Sequence, residues 1–229
     1  MLSIFNNKCY KVGNPKKLVV FIHGYNGSPE AIDYAVQDLK NKLNDSVIVV
    51  PRAPYKCEKD ANNLQWLSFY QEDPEVRFRN PEASVDEIFD IFNRLWRSFA
   101  SVAKQMNDFI DEQQKLWNIG NKDTYVVGFS QGAMITIATS LTRNSEIGGA
   151  ISIAGIVPGY ELLPSEIVSR PPFLILHGKD DITVQYKTTS RTLKWFKDQN
   201  IKVTWCDFAE LAHRMNDSEM QKVADFINS

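Results

Sequence analysis

The chain is poor in cysteine and histidine, has no long apolar run and carries almost no net charge. Its three cysteines, Cys9, Cys57 and Cys206, are odd in number and widely spaced. That argues against a disulfide framework and for reduced thiols in a cytoplasmic setting. No Cys/His cluster has ligand spacing, so no metal is expected. No stretch approaches the roughly 18 apolar residues of a spanning helix, so stable membrane insertion is not expected. The start, MLSIFNNKCYKVGN, lacks a basic segment followed by an apolar run and does not read as a signal peptide. With a net charge of −2, no overall field favours nucleic acid. Repeats and low-complexity tracts are absent. What is present is 229 residues of ordinary globular composition, 43% hydrophobic and 24% charged, which suits one domain, 1–229, with a sizeable core.

Apolar runs alternate with helical periods. Leu18–Ile22, Val47–Val50, Tyr125–Val127, Gly149–Ala154 and Phe173–Leu176 read as buried strands, and Ile201–Trp205 alternates like an edge strand. Ser28 followed by Pro29 reads as a helix start, with Ile32, Ala35, Val36, Leu39 and Leu43 on one face. Ser84 to Glu87 is a capping box opening an apolar stripe that continues to Trp117. An unbroken helix there would be about 50 Å long, so a bend or break is expected. The stripe leaves a homodimer seam open, although core packing is the better reading. Asn216 with Glu219 caps a final helix. Residues 52–83 and 155–171 show no sustained period and hold most of the prolines. The alternation predicts an α/β fold, a mainly parallel central sheet with helices on both faces. Ligands of such sheets bind beyond the carboxyl ends of the strands. The turns after Ile22, Val127 and Leu176 and the loop after Trp205 are therefore expected on one rim.

That rim holds the reactive residue types. Gly128-Phe-Ser-Gln-Gly132 lies between a strand and a helical stripe, the setting of a nucleophile elbow. The glycines allow close approach of strand and helix, and the helix start aims free N–H groups at Ser130. The Gln131 amide is placed to hold an oxyanion. A serine nucleophile needs a base, and the base needs an orienting acid, in the chain order Ser, Asp or Glu, His. His23 precedes the serine and reads as structural. His177 precedes the best acid candidates. His213 follows all of them and is the expected base. Asp180 and Asp181 both qualify as the acid after the strand Phe173–Leu176. The Tyr25 amide, in the turn after the first strand, is the expected second oxyanion donor. The aromatic group around Trp66 and Phe69 is expected to line the acyl site, with the 52–83 and 155–171 loops over it.

Taken in order, Phe21-Ile-His-Gly24, Pro51-Arg-Ala-Pro54, Gln65-Trp66, Gly128-Phe-Ser-Gln-Gly-Ala133, His177-Gly-Lys-Asp-Asp181 and Ala212-His213 resemble the phospholipase/carboxylesterase family of α/β-hydrolases. That family includes the acyl-protein thioesterases, and the resemblance spans roughly residues 17–227. It implies an α/β-hydrolase fold and a triad of Ser130, Asp181 and His213, with Asp181 favoured over Asp180 by its place four residues after His177. Lys179 and Ile182 depart from the family's usual acidic residue and proline. The resemblance further implies a cofactor-free serine esterase acting on a small-molecule ester or thioester of short to medium acyl chain. An acyl-protein thioesterase or lysophospholipase is the alternative, and a catalytically dead binding protein is the non-enzyme one.

Overall fold

Strand β2, Lys17–Ile22, shows how the sequence builds the molecule. Leu18, Val20 and Ile22 face one core, while Val19 and Phe21 face another. An apolar residue at every position fits a strand covered on both sides. The computed structural model describes residues 4–229. Around β2 they form a seven-stranded sheet in the order β1-β3-β2-β6-β7-β8-β9. Its strands are β1 (Asn7–Val12), β2, β3 (Ser46–Pro51), β6 (Thr124–Phe129), β7 (Gly149–Ile153), β8 (Phe173–Gly178) and β9 (Val203–Phe208). All neighbours are parallel except β1 with β3. Strand β1 falls in a stretch that reads as a polar start. It alternates between exposed and half-buried residues, so it carries only a weak apolar signal.

Helices α1 (Asp33–Lys42) and α6 (Asp217–Asn228) cover one face through Val36, Leu39, Val223 and Ile227. Helices α2 (Val85–Arg94), α3 (Trp96–Trp117), α4 (Gln131–Leu141) and α5 (Thr189–Asp198) cover the other. The expected start of α1 at Ser28 is corrected. Ser28 Oγ and its carbonyl both accept the Ala31 amide, which closes a local turn, and the helix begins only at Asp33. Capping boxes open α2 at Ser84 and α6 at Asn216. The long stripe breaks at Leu95, whose amide donates to both Asn93 and Ile91 carbonyls. Its Phe89, Phe92, Phe99, Met106 and Phe109 are spent in the core. Among the described residues no helix is long and apolar enough to cross a membrane.

The 52–83 segment is not bare loop. It contains a small hairpin, β4 (Tyr55–Lys56) with β5 (Leu64–Gln65), and a 3₁₀ turn at Arg77–Arg79. Leu64 also bridges to Gly27, tying the hairpin to the turn after β2.

Candidate active site

Ser130 sits between β6 and α4 with φ 56° and ψ −118°, a conformation that L-residues rarely adopt. Its amide donates to the Ile153 carbonyl at 2.9 Å, which fixes the turn to β7. Both flanking glycines are required by contact. A Cβ on Gly128 would lie 2.2 Å from the Gly132 carbonyl oxygen, and one on Gly132 would lie 2.1 Å from that of Ile22. Gly128→Ala should therefore destabilise the fold by on the order of 2–3 kcal/mol, read as a lower urea midpoint at unchanged slope.

Three side chains from three strand ends meet here. His213, in the loop after β9, places Nε2 2.9 Å from Ser130 Oγ. Its Nδ1 lies 2.7 Å from Asp181 Oδ2, and its ring packs on Phe129 at 4.8 Å between centroids. Asp181, after β8, is buried. Its Oδ1 accepts the Thr183 and Val184 amides at 2.8 and 3.0 Å. Asp180, the rival in the sequence, is exposed, and its amide donates to the Leu211 carbonyl.

Two further groups, His177 and Glu219, surround Asp181. His177 lies in β8 itself rather than in a turn. Its Nε2 is 2.8 Å from the Val184 carbonyl and 3.3 Å from Asp181 Oδ2, so that nitrogen carries the proton. The i,i+4 spacing from His177 to Asp181 was the available signal. Burial alone would raise the Asp181 pKa. The hydrogen bonds from His177 and His213 outweigh it and hold the carboxyl well below the usual range. Glu219, buried in the first turn of α6, is pushed up to about 7, first by burial and also by the Asp181 charge.

The turn after β2 runs against the elbow: a Cβ on Gly24 would lie 3.2 Å from Ser130 Cβ. The next amide is that of Tyr25. Gln131 is the first residue of α4, so its amide is among those a helix leaves without an intrahelical acceptor. Its side chain is fully buried and clamps the 52–83 segment. Oε1 accepts the Trp66 amide and Nε2 donates to the Leu67 carbonyl, both at 3.0 Å. His23 is buried, with a pKa lowered to about 4, chiefly by that burial. Its neutral ring bonds the Gly24 carbonyl through Nδ1 and accepts the Ala53 amide at Nε2.

Of the residues expected to line the acyl site, Trp66 is fully buried and Phe69 only 3% exposed. Trp66 donates from Nε1 to the His23 carbonyl, and Phe69 packs on Tyr25, Phe78 and Phe92. These rings pack as inner support of the turn after β2.

A mainly parallel sheet with a strained serine at the elbow after its central strand defines an α/β-hydrolase fold. The phospholipase/carboxylesterase family profile matches residues 10–229, and the chain belongs to that family. Among curated relatives, acyl-protein thioesterase 1 of Candida albicans is 26% identical, covering 93% of this chain and 92% of its own length. Carboxylesterase SOBER1 of Arabidopsis thaliana is 22% identical, covering 93% and 90%. Among solved structures, esterase PE8 superposes with a TM-score of 0.81 over 98% of each chain, at 22% identity.

Proposed function

We propose that the protein is a carboxylesterase that hydrolyses small esters of short to medium acyl chain through an acyl-enzyme on Ser130. The unbroken line of hydrogen bonds from Ser130 Oγ through the His213 ring to Asp181 carries this reading. His213 Nε2 takes the hydroxyl proton as Ser130 attacks the ester carbonyl. The Tyr25 and Gln131 amides hold the developing oxyanion. His213 then protonates the leaving alcohol, and a water activated by the same ring releases the acid. Asp181 stays ionised and holds the tautomer with the proton on Nδ1. No metal or cofactor enters this sequence. The 52–83 and 155–171 segments form the walls of the site in the single domain. The enzyme acts in the cytoplasm in this reading, where its three free thiols stay reduced. Hydrolysis of a chain-length series of p-nitrophenyl esters by the purified protein tests the activity. Absence of turnover across the series contradicts it.

A thioesterase reading is favoured by the curated relatives named acyl-protein thioesterase 1. The same attack serves both bonds, so parallel oxyester and thioester series of equal acyl length separate the two by kcat/KM.

The rate should rise with pH between about 5 and 8, because the base must be neutral and Asp181 is ionised throughout that window. Glu219 also titrates in this window. Glu219→Gln, which a capping box accepts, should keep the rise. A flat profile in the parent, or a rise lost in Glu219→Gln, contradicts a histidine base.

A further inference from the structure

Residues 77–83 take no part in the hydrogen-bonded line at Ser130, yet they contact both the loop after Asp181 and Tyr25 in the turn after β2. On one side they are fastened to the acid loop. Gln185 donates from Nε2 to the Phe78 and Asn80 carbonyls at 2.9 and 2.8 Å. Lys187 donates to the Pro81 and Ala83 carbonyls. On the other side they lean on the oxyanion turn. The Arg79 guanidinium lies 5.4 Å from the Tyr25 ring centroid and 5.3 Å from that of Phe78. Tyr25 follows Gly24, which abuts Ser130. Arg79 thus belongs to a segment tied to the loop after Asp181 and packed on the ring of Tyr25.

Its charge is unanswered. Arg52 pairs with Glu30, Arg77 with Asp73, Arg94 with Asp90, Arg143 with Asp111 and Arg191 with Asp86, whereas Arg79 shares the lack of a carboxylate with Arg97, Arg170 and Arg214 and differs from them in lying over the Tyr25 ring. Among the described residues Arg79 has no carboxylate within ion-pair distance, and its buried Nε has no hydrogen-bond partner. The carboxylate beside Tyr25, that of Glu58, is already held by the Tyr25 hydroxyl, Gln65 Nε2 and the Phe69 amide. A guanidinium stays ionised at neutral pH, stacks on aromatic faces and presents a planar fork that fits carboxylate or phosphate oxygens. Two rings hold this one in place while its donors remain to be used.

We propose that Arg79 is a specificity residue that binds an anionic group of the substrate, a carboxylate or phosphate. The inference rests on the esterase reading of Ser130 and narrows it to esters or thioesters that carry a negative charge. The charge sits either on the acyl chain or on the leaving group, and the test separates the two sources.

Two matched pairs serve as probes: monoethyl adipate against its terminal amide, and S-acetyl-3-mercaptopropionate against its amide. The quantity read is the ratio of kcat/KM for the anionic member to that for the neutral one. Arg79→Gln should lower this ratio about tenfold or more in one pair, since a charge-assisted bidentate contact is lost. The pair that responds tells which side carries the charge. In the parent, raising NaCl from about 20 to 500 mM should lower the same ratio, which keeps the proposal testable if the variant folds poorly. A ratio unchanged by substitution and by salt in both pairs overturns it, whatever the absolute rates do. Fluorophosphonate labelling of Ser130 in the same preparation tests the esterase reading separately. A labelled enzyme with constant ratios overturns the anionic subsite alone, whereas an unlabelled parent without turnover overturns both.

Discussion

Ser130→Ala should lower kcat for ester hydrolysis by about 10⁶-fold, leaving only what binding and the oxyanion donors supply. Among the described residues no other hydroxyl lies within hydrogen-bond distance of His213 Nε2, which is 2.9 Å from Ser130 Oγ. Removing it deletes the acyl acceptor and leaves the base without its proton source. The loss should appear in kcat and in kcat/KM together, because the missing bond exists only along the reaction. The fold should tolerate the change. The Ser130 amide keeps its bond to Ile153, and alanine meets the same positive φ as serine does. A thermal midpoint close to that of the parent is the accompanying control. A variant that retains more than about a hundredth of the activity shows that another group is the nucleophile.

Asp181→Asn should cost on the order of 10⁴ in kcat, and the hydrogen bonds around it show why. Oδ1 accepts two loop amides, from Thr183 and Val184, so the asparagine carbonyl oxygen is held on that side. Its NH₂ must then face the His213 Nδ1, which lies 2.7 Å from Oδ2. A donor there forces Nδ1 to accept and moves the ring proton to Nε2, where it confronts the Ser130 hydroxyl. The base is then unable to take a proton. The same NH₂ also meets the His177 Nε2 proton, 3.3 Å from Oδ2, and two donors oppose each other. The exposed neighbour offers the comparison: Asp180→Asn should change kcat less than about threefold. A loss at Asp180 with Asp181→Asn near the parental rate would move the acid to the other side chain.

The parts of this site that could be read from the sequence are those set by local pattern and chain order. A buried strand, Gly-flanked serine and apolar helix announce themselves within ten residues. Fold-wide alternation then puts the turns after β2, β6 and β8 on one rim. The order Ser130, Asp181, His213 needed no distances. What escaped reading depends on contacts between residues far apart in the chain. The burial of Trp66 was hidden because aromatics in a long irregular segment have no period to reveal their face. Its burial is decided by a Gln131 clamp 65 positions away. Strand β1 is an edge that buries only half of each alternate residue, so composition hides it. Ser28 carries a valid capping signal, and the serine spends it on a turn five residues before the helix starts at Asp33. Arg79 is invisible for the same reason as Trp66. Only the fold shows that its guanidinium lies over the Tyr25 ring with no carboxylate to meet it.

Peptide mapping by mass spectrometry after reaction with a fluorophosphonate probe bears most directly on the joint action of the three side chains. A single adduct on Ser130 that disappears in His213→Ala is the predicted result. A folded parent that takes no label, or takes it on a residue other than Ser130, contradicts the account.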